Sequence, residues 1–298
     1  MSILQFELWL DCPNNCKFCA IREFKSFKLD KKQLLQQAID RLDTIDWNKF
    51  TEMTLIGGEL ITEDIIDDKK AKFLEFIEKI ILLLKENKLK KFYLVTALLN
   101  KNYILQDILE LFRENKLMDR FSINTSWDYV YRFNEINKKI WNNNVSLAEA
   151  YNCEIHYETI LTEALIKAVL RNEKEVIDKI SNNNLDLIRP SGSYTHSNEH
   201  LEDFFIIRKD FFKFLDKLKT LNKRLYDNLF NLEKRASEIH TLPTGEVTNR
   251  INKLYIEEIH DKVALCGHDE LYTECYKDSK NCIICDILKY KEINDDNE

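Results

Sequence analysis

Strand-like runs that alternate with helical segments limit this chain to a parallel α/β architecture. The first run, residues 4–10, places Leu4, Phe6 and Leu8 in alternation with Gln5 and Glu7, which is the period of a β-strand. Comparable runs occupy residues 52–56, 92–98, 121–126, 153–161 and 185–190, and the amphipathic segments between them include 31–45, 65–87, 103–115 and 164–181. The alternation predicts a parallel sheet of right-handed βαβ units, and six units rather than eight predict a partial (β/α)6 TIM-like barrel.

Three cysteines lie in the loop that follows the first predicted strand. Cys12, Cys16 and Cys19 are spaced C-x3-C-x2-C, which brings three thiolates around one point. Cubane iron–sulfur clusters take four ligands, so three local thiolates leave one position open for a substrate or cofactor. Zinc sites more often use C-x2-C pairs with a partner pair elsewhere, so an iron–sulfur centre is favoured over half of a zinc site.

With that spacing and placement, the segment resembles the radical S-adenosylmethionine (SAM) superfamily. The resemblance implies that Cys12, Cys16 and Cys19 hold a 4Fe–4S cluster whose fourth iron is chelated by the amino and carboxylate groups of SAM. It also implies that Phe18, between the second and third cysteines, lies beside the adenine. Active sites on such barrels gather at the carboxyl ends of the strands, where this loop is expected.

A second motif follows the second predicted strand. Gly57, Gly58 and Glu59 resemble the family's GGEP motif, which meets the SAM amino group, with Leu60 in place of the proline. The chain has only five glycines, so two adjacent ones followed by an acid favour this resemblance over a plain tight turn. Thr96 ends the third strand where many members carry Thr-Asn-Gly, and Ala-Leu follows it here.

Polar residues alternate along the fourth predicted strand. The period of two in FSINTS places Ser122, Asn124 and Ser126 on one face. In the radical SAM family a polar residue at the end of this strand often meets the SAM ribose or carboxylate, so Asn124 and Ser126 are candidate cofactor ligands. Asp128 and Arg132 resemble the Ser-x-Asp segment of peptide-modifying members, and a helix N-cap by Ser126 or Asp128 is the alternative.

A second group of cysteines lies near the C-terminus. Cys266, Cys275, Cys282 and Cys285 can complete a closed four-thiolate shell. One alternative is an auxiliary 4Fe–4S cluster, as in the C-terminal extensions of many radical SAM enzymes. Another is a zinc ion that stabilises a segment with too small a hydrophobic core to fold alone. Unligated thiols are the third alternative. Cys153, at the start of the fifth strand, is predicted to be a buried small apolar residue.

The predicted organisation has two parts. Residues 1–200 form the partial barrel, and residues 201–298 form a C-terminal extension. Within the extension, apolar residues at three- and four-residue steps over 201–236 predict one long helix that packs across the barrel flank, with a dimer seam as the alternative. The remainder is expected to be a small Cys-rich metal-binding segment.

Composition and charge narrow the classes of protein. No stretch approaches the roughly 20 apolar residues of a membrane span, and no signal-peptide pattern is present, so a cytoplasmic location without membrane partners is expected. Eight cysteines in such a chain favour metal ligation over disulfides. The net charge of −7 argues against nucleic acid as the main partner.

The expected function is that of a radical SAM enzyme. The resemblance implies that a low-potential donor such as flavodoxin or ferredoxin reduces the cluster, and that SAM is cleaved to methionine and a 5′-deoxyadenosyl radical. That radical abstracts a substrate hydrogen. A peptide or protein side chain is the favoured substrate, because of the C-terminal cysteine group and the resemblance of the segment from Ser126 to Arg132, and a nucleoside or nucleobase is the alternative. A non-catalytic zinc-binding protein is the alternative of another class.

Overall fold

The computed structural model describes residues 2–9, 11–14, 16, 30–101, 103–127, 133–182, 184–188, 208–230, 235–241 and 255–262. The strands are β1 (Ser2–Glu7), β2 (Phe50–Ile56), β3 (Lys91–Val95), β4 (Phe121–Ser126), β5 (Glu154–Ile160), β6 (Leu185–Ile188), β7 (Arg235–Thr241) and β8 (Tyr255–Lys262). The helices are α1 (Lys31–Leu42), α2 (Asp67–Lys85), α3 (Ile104–Glu114), α4 (Glu135–Ala150), α5 (Glu163–Leu170), α6 (Lys174–Ile180), α7 (Arg208–Leu221) and α8 (Lys223–Phe230).

The six predicted strands form consecutive parallel neighbours. They belong to one sheet of eight strands in the order β6-β5-β4-β3-β2-β1-β8-β7. Each pair from β1–β2 to β5–β6 is parallel, and at least one helix lies between successive strands in the chain. In the part of the chain that the structure describes, the sheet does not close, since β6 and β7 form its edges. The prediction of an α/β partial barrel is confirmed.

Aromatic residues of the helices and strands pack against each other on one face of the sheet. Phe112 of α3 stacks on Phe121 of β4 with ring centroids 4.1 Å apart, and Phe92 of β3 completes the stack. Phe6 of β1 contacts Phe76 of α2 in a tilted arrangement. Burial of one such side chain contributes about 1.5–3 kcal/mol, which explains the alternating apolar pattern of the strands.

The other face of the sheet is more polar. Thr54, Tyr93 and Ser122 are cross-strand neighbours on β2, β3 and β4, and alternate from the residues that contact the helices. Thr54 and Tyr93 are partly exposed, whereas Ser122 is buried. The barrel therefore presents a polar inner face, one edge of which is formed by the carboxyl ends of the strands.

The single long helix expected over 201–236 is instead two helices. α7 and α8 are separated at Asn222, which is buried. The Asn222 side chain donates to the Ile180 carbonyl at 2.8 Å and accepts from the Leu225 N–H at 3.1 Å, so it caps α8. The predicted apolar stripe does pack on the barrel flank, because Phe211 and Phe214 are fully buried and α7 contacts α5.

Two strands follow these helices that the sequence did not predict. β7 and β8 pair with each other in antiparallel fashion, and β8 pairs with β1, also antiparallel. The sheet therefore draws on both sides of the proposed boundary at residue 200, and that division stays a prediction. Within the described ranges, every helix is too short or too polar to cross a membrane.

Candidate functional site

The cysteine loop begins at the carboxyl end of β1, as predicted. The Leu8 N–H continues the pairing with β2 by donating to the Ile56 carbonyl at 3.1 Å. Cys12 is partly exposed and Cys16 is buried, and neither forms a disulfide with another described cysteine. Cys19 and Phe18 lie outside the described residues. Among the residues that are described, no three metal-binding side chains form a group.

The GGE segment is bonded directly to the start of this loop. The Gly58 N–H donates to the Trp9 carbonyl at 2.7 Å, and the Glu59 N–H donates to the Asp11 carbonyl at 2.9 Å. In return the Trp9 indole N–H donates to the Glu59 carbonyl at 2.9 Å. A Cβ at position 57 would lie 2.4 Å from the Trp9 carbonyl oxygen, so this close approach requires glycine.

The Glu59 carboxylate is buried and accepts four hydrogen bonds from its surroundings. Oε1 accepts from the Thr96 hydroxyl at 2.6 Å and from the N–H groups of Leu60 and Ile61 at 3.1 and 3.3 Å. Oε2 accepts from the Ala97 N–H at 2.7 Å. Burial raises the pKa of Glu59, and these four donors act against that rise. A second acceptor position on Oε2 suits a further donor such as an ammonium group.

The loop after β3 supplies two of these donors and is itself held in an unusual conformation. Leu98 has a φ of 54°, in the left-handed region that favours glycine. The Leu98 N–H donates to the Thr96 hydroxyl oxygen at 3.1 Å, and Asn144 of α4 donates to the Leu98 carbonyl at 2.8 Å. Leu98 stands at the third position of the Thr-Asn-Gly pattern, where a glycine would adopt this φ without strain.

The end of β4 brings two further predicted residues to the same region. The Thr96 N–H donates to the Asn124 carbonyl at 3.0 Å. The Thr125 hydroxyl meets the Trp141 indole on the helix side, so Asn124 and Ser126 alternate onto the inner face, as predicted. Asn124 Oδ1 is a buried acceptor without a hydrogen-bond partner among the described residues.

Asp128 and Arg132 lie outside the described residues. The four C-terminal cysteines, at positions 266, 275, 282 and 285, do so too.

A buried cation beside the cysteine loop was missed by sequence reasoning. Lys31 is only 3% exposed, and its ammonium lies 2.7 Å from Asp11 Oδ2 and 2.9 Å from Asp64 Oδ1. It also donates to the Thr62 hydroxyl at 3.2 Å and lies 5.3 Å from the centroid of the Trp9 ring. Burial alone would raise the pKa of Asp64, but hydrogen bonds from Thr62 and Lys31 lower it to about 2.

One sequence signal could have drawn attention to Lys31. It is the first residue of α1, behind the N-cap Asp30, and a cation there opposes the positive end of the helix dipole.

No protein-family model matches the chain, and no curated protein matches it in sequence. Solved structures do match. Histidine-tagged anSMEcpe with bound AdoMet (SAM) superposes with a TM-score of 0.51 and 17% identity over 76% of this chain and 61% of that one. The chain therefore has the fold of these AdoMet-bound structures. Native anSMEcpe with bound AdoMet and the Cp18Cys peptide gives 0.50 and 16% over 76% and 60%. The chain thus spans about three fifths of the length of these neighbours.

Proposed function

We propose that this chain is a radical SAM enzyme. Cys12, Cys16 and Cys19 would hold a 4Fe–4S cluster. With an electron from a low-potential donor such as flavodoxin or ferredoxin, the cluster would supply the reductive cleavage of SAM to methionine and a 5′-deoxyadenosyl radical, which would abstract a substrate hydrogen. The observation that carries the proposal is the hydrogen-bonded unit of Trp9, Asp11 and the GGE segment, which fixes the cysteine loop against the second motif at adjacent strand ends. Solved structures with this fold contain bound AdoMet.

The residues present fit both groups chemically. Cysteine thiolates are the ordinary ligands of iron–sulfur clusters, and Cys12 and Cys16 lie in one short loop, with Cys19 proposed as the third ligand. The buried acceptor Asn124 Oδ1 calls for a donor, which a ribose hydroxyl or an ammonium group provides. The Glu59 carboxylate has a further acceptor position on Oε2 that suits a cation.

Each of these residues has a distinct proposed task. Gly57 and Gly58 allow the backbone to approach the cysteine loop, and Glu59 holds the amino group of the SAM methionine. Asn124 and Ser126 hold the SAM ribose or carboxylate on the inner face. Phe18 lies beside the adenine. These groups would bind and orient the cofactor and keep water from it, while the difficult chemistry belongs to the cofactor itself.

A peptide or protein side chain is the proposed substrate. Two neighbours of the same fold were solved with AdoMet together with the Cp18Cys and Kp18Cys peptides. The segment from Ser126 to Arg132 resembles that of peptide-modifying members, which agrees with this choice.

A second metal centre is proposed for Cys266, Cys275, Cys282 and Cys285. Four thiolates can close a shell around zinc or an auxiliary 4Fe–4S cluster. Metal analysis separates these alternatives, because one cluster gives about four irons per chain, two give about eight, and a zinc adds one zinc.

The central test is anaerobic reconstitution followed by analysis of iron, sulfide, zinc and 5′-deoxyadenosine. Replacing Cys12, Cys16 and Cys19 together by alanine should remove about four irons per chain and abolish 5′-deoxyadenosine formation. Cys153→Ala is the matched control, since Cys153 is a buried cysteine at the opposite end of the strands and should leave both unchanged. Unchanged turnover in the triple variant, or zinc in place of iron and sulfide, would refute the proposal.

A further inference from the structure

The Asp11–Lys31 ion pair joins the two ends of the cysteine loop. Asp11 directly precedes Cys12, and Lys31 is the first residue of α1, which begins after Cys19. Their charged atoms are 2.7 Å apart, with Lys31 3% exposed and Asp11 35% exposed. The second carboxylate at 2.9 Å belongs to Asp64, which lies on the loop after β2 rather than on the cysteine loop.

Helix stability alone does not explain a lysine at this position. The first turn of a helix favours acids over cations, and α1 has no acid there. Burial of an ammonium also costs free energy that its partners must offset. The adjacent Lys32 shows the ordinary alternative, because it is 54% exposed and pairs with Asp68 on the surface. Lys31 is therefore buried against the local preference of the helix, by contacts to Asp11 at the start of the cysteine loop and to Thr62 and Asp64 on the loop after β2.

We propose that Lys31 is a positioning residue for the iron–sulfur cluster, and that it acts through Asp11 to hold the two ends of the cysteine loop together. This inference rests on the proposed function. Closing the loop before the metal binds removes part of the entropy that ligation would otherwise cost. The Trp9 ring beneath the ammonium extends the arrangement to the GGE segment, since the Trp9 indole donates to the Glu59 carbonyl.

The two members of the pair have opposite charge. Removal of each charge therefore has a readout, the reduction potential of the cluster, that would not shift if the pair only stabilised the fold. Lys31→Met removes the pair, and Asp11→Asn removes its ionic character while leaving an amide oxygen that can accept only a weaker hydrogen bond, so both should weaken the hold on the cluster. Lys31→Met makes the surroundings of the loop more negative, whereas Asp11→Asn makes them more positive. The reduction potential of an iron–sulfur cluster responds to nearby charge, so the two variants should shift it in opposite directions.

The experiment uses the full chain, reconstituted anaerobically with iron and sulfide. Iron release to EDTA should be roughly tenfold faster in Lys31→Met and Asp11→Asn than in the wild type, because the loop is no longer closed in advance. Lys32→Met and Asp64→Asn are the controls, since the first removes an exposed neighbour and the second leaves the pair to Asp11 intact. Both controls should release iron at the wild-type rate. A redox titration should place the potential of Lys31→Met below that of the wild type and that of Asp11→Asn above it.

Iron release at the wild-type rate in both pair variants would overturn the inference, and so would potentials that move in the same direction. If Lys31→Met does not fold, Asp11→Asn decides the question, because Asp11 is partly exposed and its substitution by asparagine keeps the shape of the side chain. Failure of the proposed function is distinguishable, since the wild type would then bind zinc without sulfide. Zinc release from the same variants would still show whether the pair holds the loop closed.

Discussion

Replacement of Glu59 by alanine is expected to destabilise the protein strongly, whatever ligand the site binds. The change removes the acceptor of the Thr96 hydroxyl and of the N–H groups of Leu60, Ile61 and Ala97. A hydrogen bond to a charged group contributes about 1.5–3 kcal/mol, and a buried donor left without an acceptor costs about 1–3 kcal/mol. These contributions are not additive, so we expect a loss of about 3–6 kcal/mol out of a total of about 5–15 kcal/mol.

Glu59→Gln is the matched control for this prediction. The amide oxygen can still accept from Thr96, Leu60 and Ile61, while the NH2 group faces the N–H of Ala97 and cannot accept from it. The expected loss is about 1–3 kcal/mol. Urea unfolding followed by circular dichroism measures both variants, with the slope against urea showing whether the transition is two-state. A loss below about 1 kcal/mol in Glu59→Ala, or equal losses in both variants, would refute the reasoning.

The folded Glu59→Gln variant also tests the proposed contact with SAM. If Glu59 meets the SAM ammonium, loss of its charge removes about 1.5–3 kcal/mol of binding free energy, and affinity falls roughly ten- to hundredfold. Iron content should stay at the wild-type level, because no cysteine changes. Wild-type affinity for SAM in this variant would exclude the contact.

Two further predictions concern packing and pH. Gly57→Ala should lower the free energy of unfolding by about 1–3 kcal/mol, because its Cβ would lie 2.4 Å from the Trp9 carbonyl oxygen; an unchanged melting temperature would contradict this. Burial lowers the pKa of Lys179 from 10.5 to about 8, against the attraction of Glu149 and Glu175, so the contribution of Lys179 to stability should rise between pH 8 and 10.5, where the native lysine loses its proton first. The raised pKa of the buried Cys153 thiol acts in the opposite direction above pH 9, so the wild type is compared with a variant that lacks only Lys179. Lys179→Met should lack about 1–2 kcal/mol of this contribution, after allowance for solvent screening. Urea unfolding of both proteins at pH 7.5 and at pH 10 measures it, and the same change in stability between the two pH values in both proteins would contradict the prediction.

Much of the barrel could be predicted because its periodicity is local. The alternation of Leu4, Phe6 and Leu8 with polar residues reflects a strand with one face on the helices, and the same rule located the other parallel strands. Since parallel neighbours end at one edge of the sheet, the predicted strands also placed the cysteine loop and the GGE segment at the same edge, where hydrogen bonds join them in the structure. The prediction that Cys153 is buried is confirmed as well, and burial raises the pKa of its thiol to about 12.

The features that escaped prediction depend on contacts distant in sequence. The apolar stripe of α7 continues into α8, so periodicity predicts one helix. In the structure the Asn222 side chain donates to the Ile180 carbonyl and caps the first turn of α8, so a new helix begins there. β8 owes its place to the edge of β1 rather than to a clear alternating pattern. Lys31 is buried because Asp11 and Asp64 contact it from two other segments. The periodicity of α1 alone cannot identify these partners.

The strand ends form one hydrogen-bonded unit, and this explains how Glu59 can serve both the fold and a ligand. Backbone groups of Trp9 and Asp11 hold the Glu59 main chain, while Thr96 and Ala97 hold its carboxylate and the Thr96 N–H continues to β4. The carboxylate is therefore fixed before any ligand arrives, and a cation at the second acceptor position of Oε2 would add a bond without breaking one. Such a preorganised acceptor binds with little cost of rearrangement. The same arrangement makes loss of the ligand contact separable from loss of the fold, because Glu59→Gln keeps most of the hydrogen bonds that the side chain accepts and Glu59→Ala keeps none of those.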